Sequence, residues 1–255
     1  MVVSMEIAEH IAAVGREARL LADAAKLGGL DADVPSCPDW DMRALLSHLS
    51  MIHLWAAGHV AELQPRSWGS LDELAAFWPD DAKLVDWYLE TNANLIYTLE
   101  SAPLEMKRRM IYEAPSAVAM WARRQAHETA IHRFDAENAA GIATEFNPTL
   151  ASDGIDEMFT GMAPGEKGFA ETKTISVRAA DTDDQWHVTV AQDEVTTLRA
   201  DLPADLTLNG NASDLYLAVW NRGDDSNITI SGDRNVLDHW RDEKQTQWPF
   251  DERET

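Results

Sequence analysis

Apolar residues recur at intervals of three and four along the first 140 or so positions, and this spacing predicts helices. In residues 4–27 the stripe is Ile7, Ile11, Val14, Ala18, Leu21 and Ala25, and it stops at Gly28-Gly29. The loop LDADVPSCPDW follows, with two prolines, and Asp41 is placed to cap a second helix, MRALLSHLSMIHLWAAGHVAEL, which Pro65 closes. The pattern is mixed over 69–81, where Pro79 is a breaker. A third helix is predicted over 82–100, before Pro103. A fourth starts near Pro115-Ser116, with Ser116 at the helix start, and runs to Ala140 before Gly141. Four long helices joined by connections of varied length describe a bundle.

After Pro148 the texture changes. A short helix is predicted over 149–161. KTISVRA, QWHVTVAQ, TTLRADL and DLTLNG then alternate or carry β-branched residues, with polar turns such as 181–184 between them. NASDLYLAVWNRG reads as a helix capped by Asn211 or Ser213, NITISG as a strand and NVLDHWRDE as a last helix. The chain is therefore expected to be α+β, with a four-helix bundle over 1–147 and a smaller α+β domain over 148–255.

Charge narrows the partners. The chain has 21 Lys and Arg against 44 Asp and Glu, a net charge of −23. That balance disfavours nucleic acid and anionic membranes, both of which present phosphate. No apolar run approaches the roughly 18 residues that span a bilayer, and MVVSMEIAEH does not read as a secretory signal. Cys37 is the only cysteine, so no intramolecular disulfide forms. Together these features suggest the cytoplasm. G-x-S-x-G, Walker and dinucleotide glycine patterns are absent, which argues against the hydrolase, nucleotide and nicotinamide classes they mark.

One stretch carries candidate chemistry. RRQAHETAIHRFD, residues 123–135, misses the zinc-protease motif H-E-x-x-H by one inserted residue. At about 100° per residue, His127 and His132 lie roughly 140° apart and face different sides of a helix. Glu128 and His132 are four apart and share a face. They offer one oxygen and one nitrogen ligand from adjacent turns, and a third donor must come from a facing helix. The second helix offers His48, His53 and His59. His48 and His59 share a face but lie roughly 16 Å apart along the axis, and His48 and His53 are about 140° apart. Only one of them can point at the site. His48 lies beside the stripe of Leu45, Leu49 and Ile52, a position that favours it over His53 without deciding the matter.

Three segments together resemble one family. VPSCPDWDMRALLSHL (34–49), WARRQAHETAIHRFDAENAAG (121–141) and LNGNASDLYLAVWNRG (208–223) are similar, in this order, to segments of the mycothiol-dependent maleylpyruvate isomerase family, part of the DinB-like metalloenzyme superfamily. The resemblance implies a DinB-like four-helix bundle holding one divalent metal, usually zinc, and selects His48, Glu128 and His132 as its ligands. It also implies an arginine from the second domain near the metal, which matches Arg222. Asp39 departs from the family pattern, in which glycine is commoner.

Two histidines and one carboxylate leave a position open on zinc, as in catalytic sites. The resemblance implies that mycothiol binds there as its thiolate and adds to an electrophilic small molecule, giving cis-trans isomerisation or, if the sulfur stays attached, S-transfer. Arg222 would hold a substrate carboxylate through paired hydrogen bonds. The alternatives are a non-catalytic metal-binding module and a hydrolase using zinc-bound hydroxide. Asp135 shares the face of Glu128 and His132 and is a candidate to orient a ligand histidine. Trp121, seven before Glu128, is a candidate pocket wall or core residue. His127 and His53 are expected in supporting or core positions, and Cys37 either at the site or as a small buried hydrophobe. The oligomeric state is left open.

Overall fold

The computed structural model describes residues 5–61, 78–165 and 168–243. Within them the chain forms two compact units, Glu6–Thr144 and a second from residue 145 onward. The fold is mixed α+β.

The first unit is a bundle of α1 (Ile7–Gly28), α2 (Met42–Val60), α3 (Asp81–Ser101) and α4 (Ala117–Ala139). Helix α1 packs along α4 and α3, and α2 packs along α3 and α4. Leu21, Leu45, Leu46, Leu49, Leu84 and Tyr88 are among the residues that fill the space between helices. Each such side chain contributes roughly 1.5–3 kcal/mol through burial. The expected caps are present: the Asp41 side chain accepts from the Ala44 N–H and that of Ser116 from the Ala119 N–H. Gly29, at φ 81°, ends α1 in a conformation that L side chains rarely adopt, and its N–H bonds the Ala25 carbonyl. Helix α2 ends at Val60, earlier than its apolar text. Pro65 and residues 69–77 lie outside the described residues.

The loop between α1 and α2 is ordered by its prolines. Cys37 N–H bonds the Val34 carbonyl and Trp40 N–H bonds the Cys37 carbonyl. These close two successive β-turns, each with proline at its second position, where the ring's fixed φ fits. Met42 N–H to Ala32 O and Arg43 N–H to Leu30 O anchor the loop across the start of α2.

The second unit opens with α5 (Pro148–Glu157), whose cap Asn147 accepts from Thr149 N–H and Leu150 N–H. A wide helical turn, Met158–Met162, and a tighter one, Ala163–Gly165, replace the end of the helix predicted to reach 161. The strands are β1 (Lys173–Ala179), β2 (Asp184–Ala191), β3 (Glu194–Leu198), β4 (Leu206–Gly210) and β5 (Thr229–Gly232), with α6 (Ala212–Val219) before β5 and α7 (Asn235–Glu243) after it. Asn211, rather than Ser213, caps α6. The sheet order is β3-β2-β1-β4-β5, antiparallel except for the parallel β1–β4 pair. Register sets Val177 opposite Trp186 and Ile175 opposite Val188 on the buried face. Trp220 and Trp240 are buried with their indole N–H groups on the carbonyls of Gly154 and Val219, so each large ring is packed without leaving its donor unpaired.

Candidate metal centre

Helix α4 is buried on nearly every side yet polar. Arg124, Gln125, His127, Glu128, Thr129, His132, Arg133, Asp135 and Glu137 are all buried. Charged side chains are rarely buried without partners, and here specific ones are in place. Arg133 reaches Glu17 of α1 at 2.7 Å and Glu137 at 3.0 Å. That network ties α4 to α1.

On another face, Glu128 and His132 meet His48 of α2. Donor atoms of the three lie within 4.8 Å of one another. Glu128 Oε1 is 3.4 Å from His48 Nε2 and 3.4 Å from His132 Nε2. The two rings meet edge to face, with centroids 5.1 Å apart. The separations bear on what the cluster holds. Charge-assisted hydrogen bonds run at about 2.7–2.9 Å. Donors placed tetrahedrally about 2.0–2.2 Å from zinc stand roughly 3.3–3.6 Å apart. The carboxylate oxygen stands from each of the two nitrogens at the spacing of neighbouring corners of such a shell.

Neighbours orient the three. Asp135 Oδ2 accepts from His132 Nδ1 at 2.8 Å, which fixes the ring and turns Nε2 toward Glu128. Ser36 and Cys37, on the double turn, donate to Asp135 Oδ1 and Oδ2. Trp40, from the same turns, lies 4.7 Å from the His48 ring and 5.9 Å from that of His132, centroid to centroid. Arg124 Nη2 donates to Glu128 Oε2 at 2.9 Å.

Burial opposes charge on Glu128, but the His132, His48 and Arg124 contacts outweigh it and hold the carboxyl well below its usual range. Burial also opposes charge on His132, yet Asp135 and Glu128 push its pKa up to about 9. For His48, burial dominates and the pKa is lowered. Burial thus opposes charge on all three groups, and the neighbouring charges outweigh it for Glu128 and His132 but not for His48.

The other candidates sit as follows. His127 faces away from this group, its ring edge-on to that of His10 on α1 at 6.1 Å. His53 is buried, bonds Thr129 Oγ1 at 3.1 Å and stacks on Tyr88. Burial lowers its pKa to about 3, and it is a neutral core histidine. Trp121 is buried, donates to the Arg109 carbonyl and stacks on His59. Cys37 is half-buried, packed against the bundle core as well as bonded to Asp135. Arg222 belongs to the second unit, where its guanidinium donates to the carbonyls of Trp220 and Asn221. Arg124, Trp40 and Ser36 were not singled out from sequence. A signal existed for each: Arg124 precedes Glu128 by one helical turn, and Trp40 and Ser36 lie in the V-P-S-C-P-D-W segment.

A helical bundle carries a buried two-histidine, one-carboxylate cluster that could hold a metal, the arrangement that facing helices of a bundle can supply, and it is joined to an α+β unit. Comparison with known families narrows this. Residues 11–137 match the mycothiol maleylpyruvate isomerase N-terminal domain, and residues 149–239 match the MDMPI C-terminal domain. The chain belongs to the mycothiol-dependent maleylpyruvate isomerase family, a family of enzymes. Two crystal structures share its fold. That of the mycothiol-dependent maleylpyruvate isomerase has a TM-score of 0.62 at 13% identity, and that of a histidine-to-alanine mutant has 0.64 at 11%. Each match covers 89% of this chain and 93% of the other. No curated protein matches the sequence significantly. Among the described residues, no helix is long and apolar enough to cross a membrane.

Proposed function

We propose that this chain is a zinc-dependent enzyme that uses mycothiol to isomerise a small electrophile of the maleylpyruvate type, or to transfer sulfur to it. The supporting observation is the convergence of His48, Glu128 and His132, with Glu128 Oε1 3.4 Å from the Nε2 of each histidine and the donor atoms all within 4.8 Å of one another. Three protein donors leave room for an outside ligand, unlike a closed four-donor structural site.

His48, Glu128 and His132 would hold the ion. Zinc held there would supply a Lewis acid able to keep a thiol in its ionised, nucleophilic form. Glu128 brings one negative charge, which the Arg124 guanidinium on Oε2 partly offsets. Asp135 takes the remaining N–H of His132, so that Nε2 presents a lone pair once its proton has left. In the isomerase reaction, a carbon–sulfur bond forms at one end of an activated double bond. The resulting single bond rotates. The carbon–sulfur bond then breaks and the double bond re-forms in the other geometry. If the carbon–sulfur bond persists and a proton is taken up, the outcome is S-transfer. Arg222 is assigned, by resemblance, to a substrate carboxylate.

The division into a metal-binding domain, 1–147, and an α+β domain, 148–255, belongs to the same proposal, as does a cytoplasmic setting. Calorimetric titration of the zinc-loaded protein with mycothiol tests it. Saturable binding that is lost in His48→Ala is the expected result. Zinc uptake with no mycothiol binding would overturn the thiol mechanism. Assay of cis and trans isomers of maleylpyruvate-type acids, with wild type and Arg222→Lys, then separates isomerisation from transfer.

A further inference from the structure

The two oxygens of Glu128 have different partners. Oε1 faces the two histidine nitrogens at 3.4 Å. Oε2 accepts a charge-assisted hydrogen bond from Arg124 Nη2 at 2.9 Å. The arginine lies one helical turn before the glutamate, and the two are 1% and 4% exposed. A buried guanidinium beside a buried carboxylate is held in place by the same desolvation that makes separating them costly.

A carboxylate can ligate through one oxygen or both. We propose that Arg124 is a positioning residue that commits Glu128 to one-oxygen ligation and so keeps a coordination position free for the thiol. This inference rests on the metal reading of the His48–Glu128–His132 cluster. The geometry carries it. While Oε2 is engaged, rotation about the Glu128 terminal torsion is restrained, and only Oε1 is presented where the nitrogens converge. Without the cation, that torsion is soft. The second oxygen then swings inward and takes the place meant for an outside ligand. A lysine keeps a cation within reach of Oε2 but gives up the planar fork, so it conserves part of the restraint.

Cobalt(II) is the probe, because its visible bands strengthen in four-coordinate and weaken in five-coordinate environments, and a bound thiolate adds a sulfur-to-metal charge-transfer band. Wild type, Arg124→Met and Arg124→Lys are loaded with cobalt and titrated with 2-mercaptoethanol, with folding checked by circular dichroism. The met variant is expected to show weaker visible bands and a thiol affinity reduced about tenfold or more, the scale of losses around metal ligands. The lysine variant is expected to fall between it and wild type. If the methionine variant does not fold, Arg124→Gln takes its place, with the same expectation. Variant spectra and thiol affinity matching wild type would overturn the role of Arg124 while leaving the metal site standing. Failure of wild type itself to take up cobalt would overturn the metal reading and this inference with it.

Discussion

His132 Nδ1 lies 2.8 Å from Asp135 Oδ2, three residues further along the same helix. The pair sets which nitrogen of His132 faces Glu128. Asp135 is itself fully buried and is held by Ser36 and Cys37 from the proline-bounded turns. Loop, aspartate and histidine thus form one chain of contacts that ends at the cluster.

Asp135→Asn replaces an anion by a neutral group of the same shape. It weakens the preference for the N–H on Nδ1 and removes a charge that favours metal. Zinc affinity is expected to fall about 10–100-fold, measured by competition with a chromophoric chelator. Unchanged affinity would show that Asp135 only braces the loop.

The metal-free protein should show a pH signature of His132. Its pKa is raised from 6.5 to about 9, against the pull of burial, by Asp135 and Glu128. A raised folded-state pKa means that the charged form stabilises the fold. That stability is fully present below about pH 6.5 and is lost as pH rises through 9. The stability gap between metal-free wild type and His132→Gln should therefore narrow between pH 6.5 and 9 in urea titrations. Zinc uptake in the same window should release a proton, seen as a dependence of the calorimetric heat on buffer ionisation enthalpy. A constant gap and no proton release would remove His132 from the cluster chemistry.

Glu17 and Arg133 cross-link α1 and α4 away from the candidate ligands, at 2.7 Å. Glu17→Ala leaves a buried arginine short of one partner and should cost on the order of 3 kcal/mol. The triple change Glu17→Met, Arg133→Met, Glu137→Met should recover much of that loss, because replacing a whole buried ionic group by apolar residues is often neutral or better. Chemical denaturation of the three proteins reads both effects. A triple mutant as unstable as the single one would mean that the network itself is worth more than its desolvation.

The helices were legible because punctuation and period agreed. Gly28-Gly29, Asp41, Ser116 and Gly141 bracket α1, α2 and α4 within a few residues of where they begin or end. Strand β3 was predicted late, from Thr196, whereas it starts at Glu194. A two-residue turn, Gln192-Asp193, closes its hairpin with β2 without the glycine or asparagine that usually mark one. The parallel β1–β4 pair brings together strands that are distant in sequence, and no local pattern encodes that. At the site, helical phase paired Glu128 with His132 and turned His127 away. It did not decide between His48 and His53, because both lie next to apolar residues and only the partner across the bundle distinguishes them. His53 found Thr129 and Tyr88, while His48 found Glu128. Arg124 shares the helical face of Glu128, but spacing alone does not tell a buried partner from an exposed i,i+4 pair, and the contact of Ser36 with Asp135 joins residues 99 apart in sequence, which no local pattern encodes.

The most direct test is metal content. Protein purified without chelators and analysed by inductively coupled plasma mass spectrometry is expected to carry about one zinc or other divalent ion per chain. His48→Ala, Glu128→Ala and His132→Ala should each carry far less, while His53→Ala, if folded, should match wild type. Wild type without metal that also fails to take up added zinc, or ligand variants that retain the ion in full, would contradict the assignment of His48, Glu128 and His132.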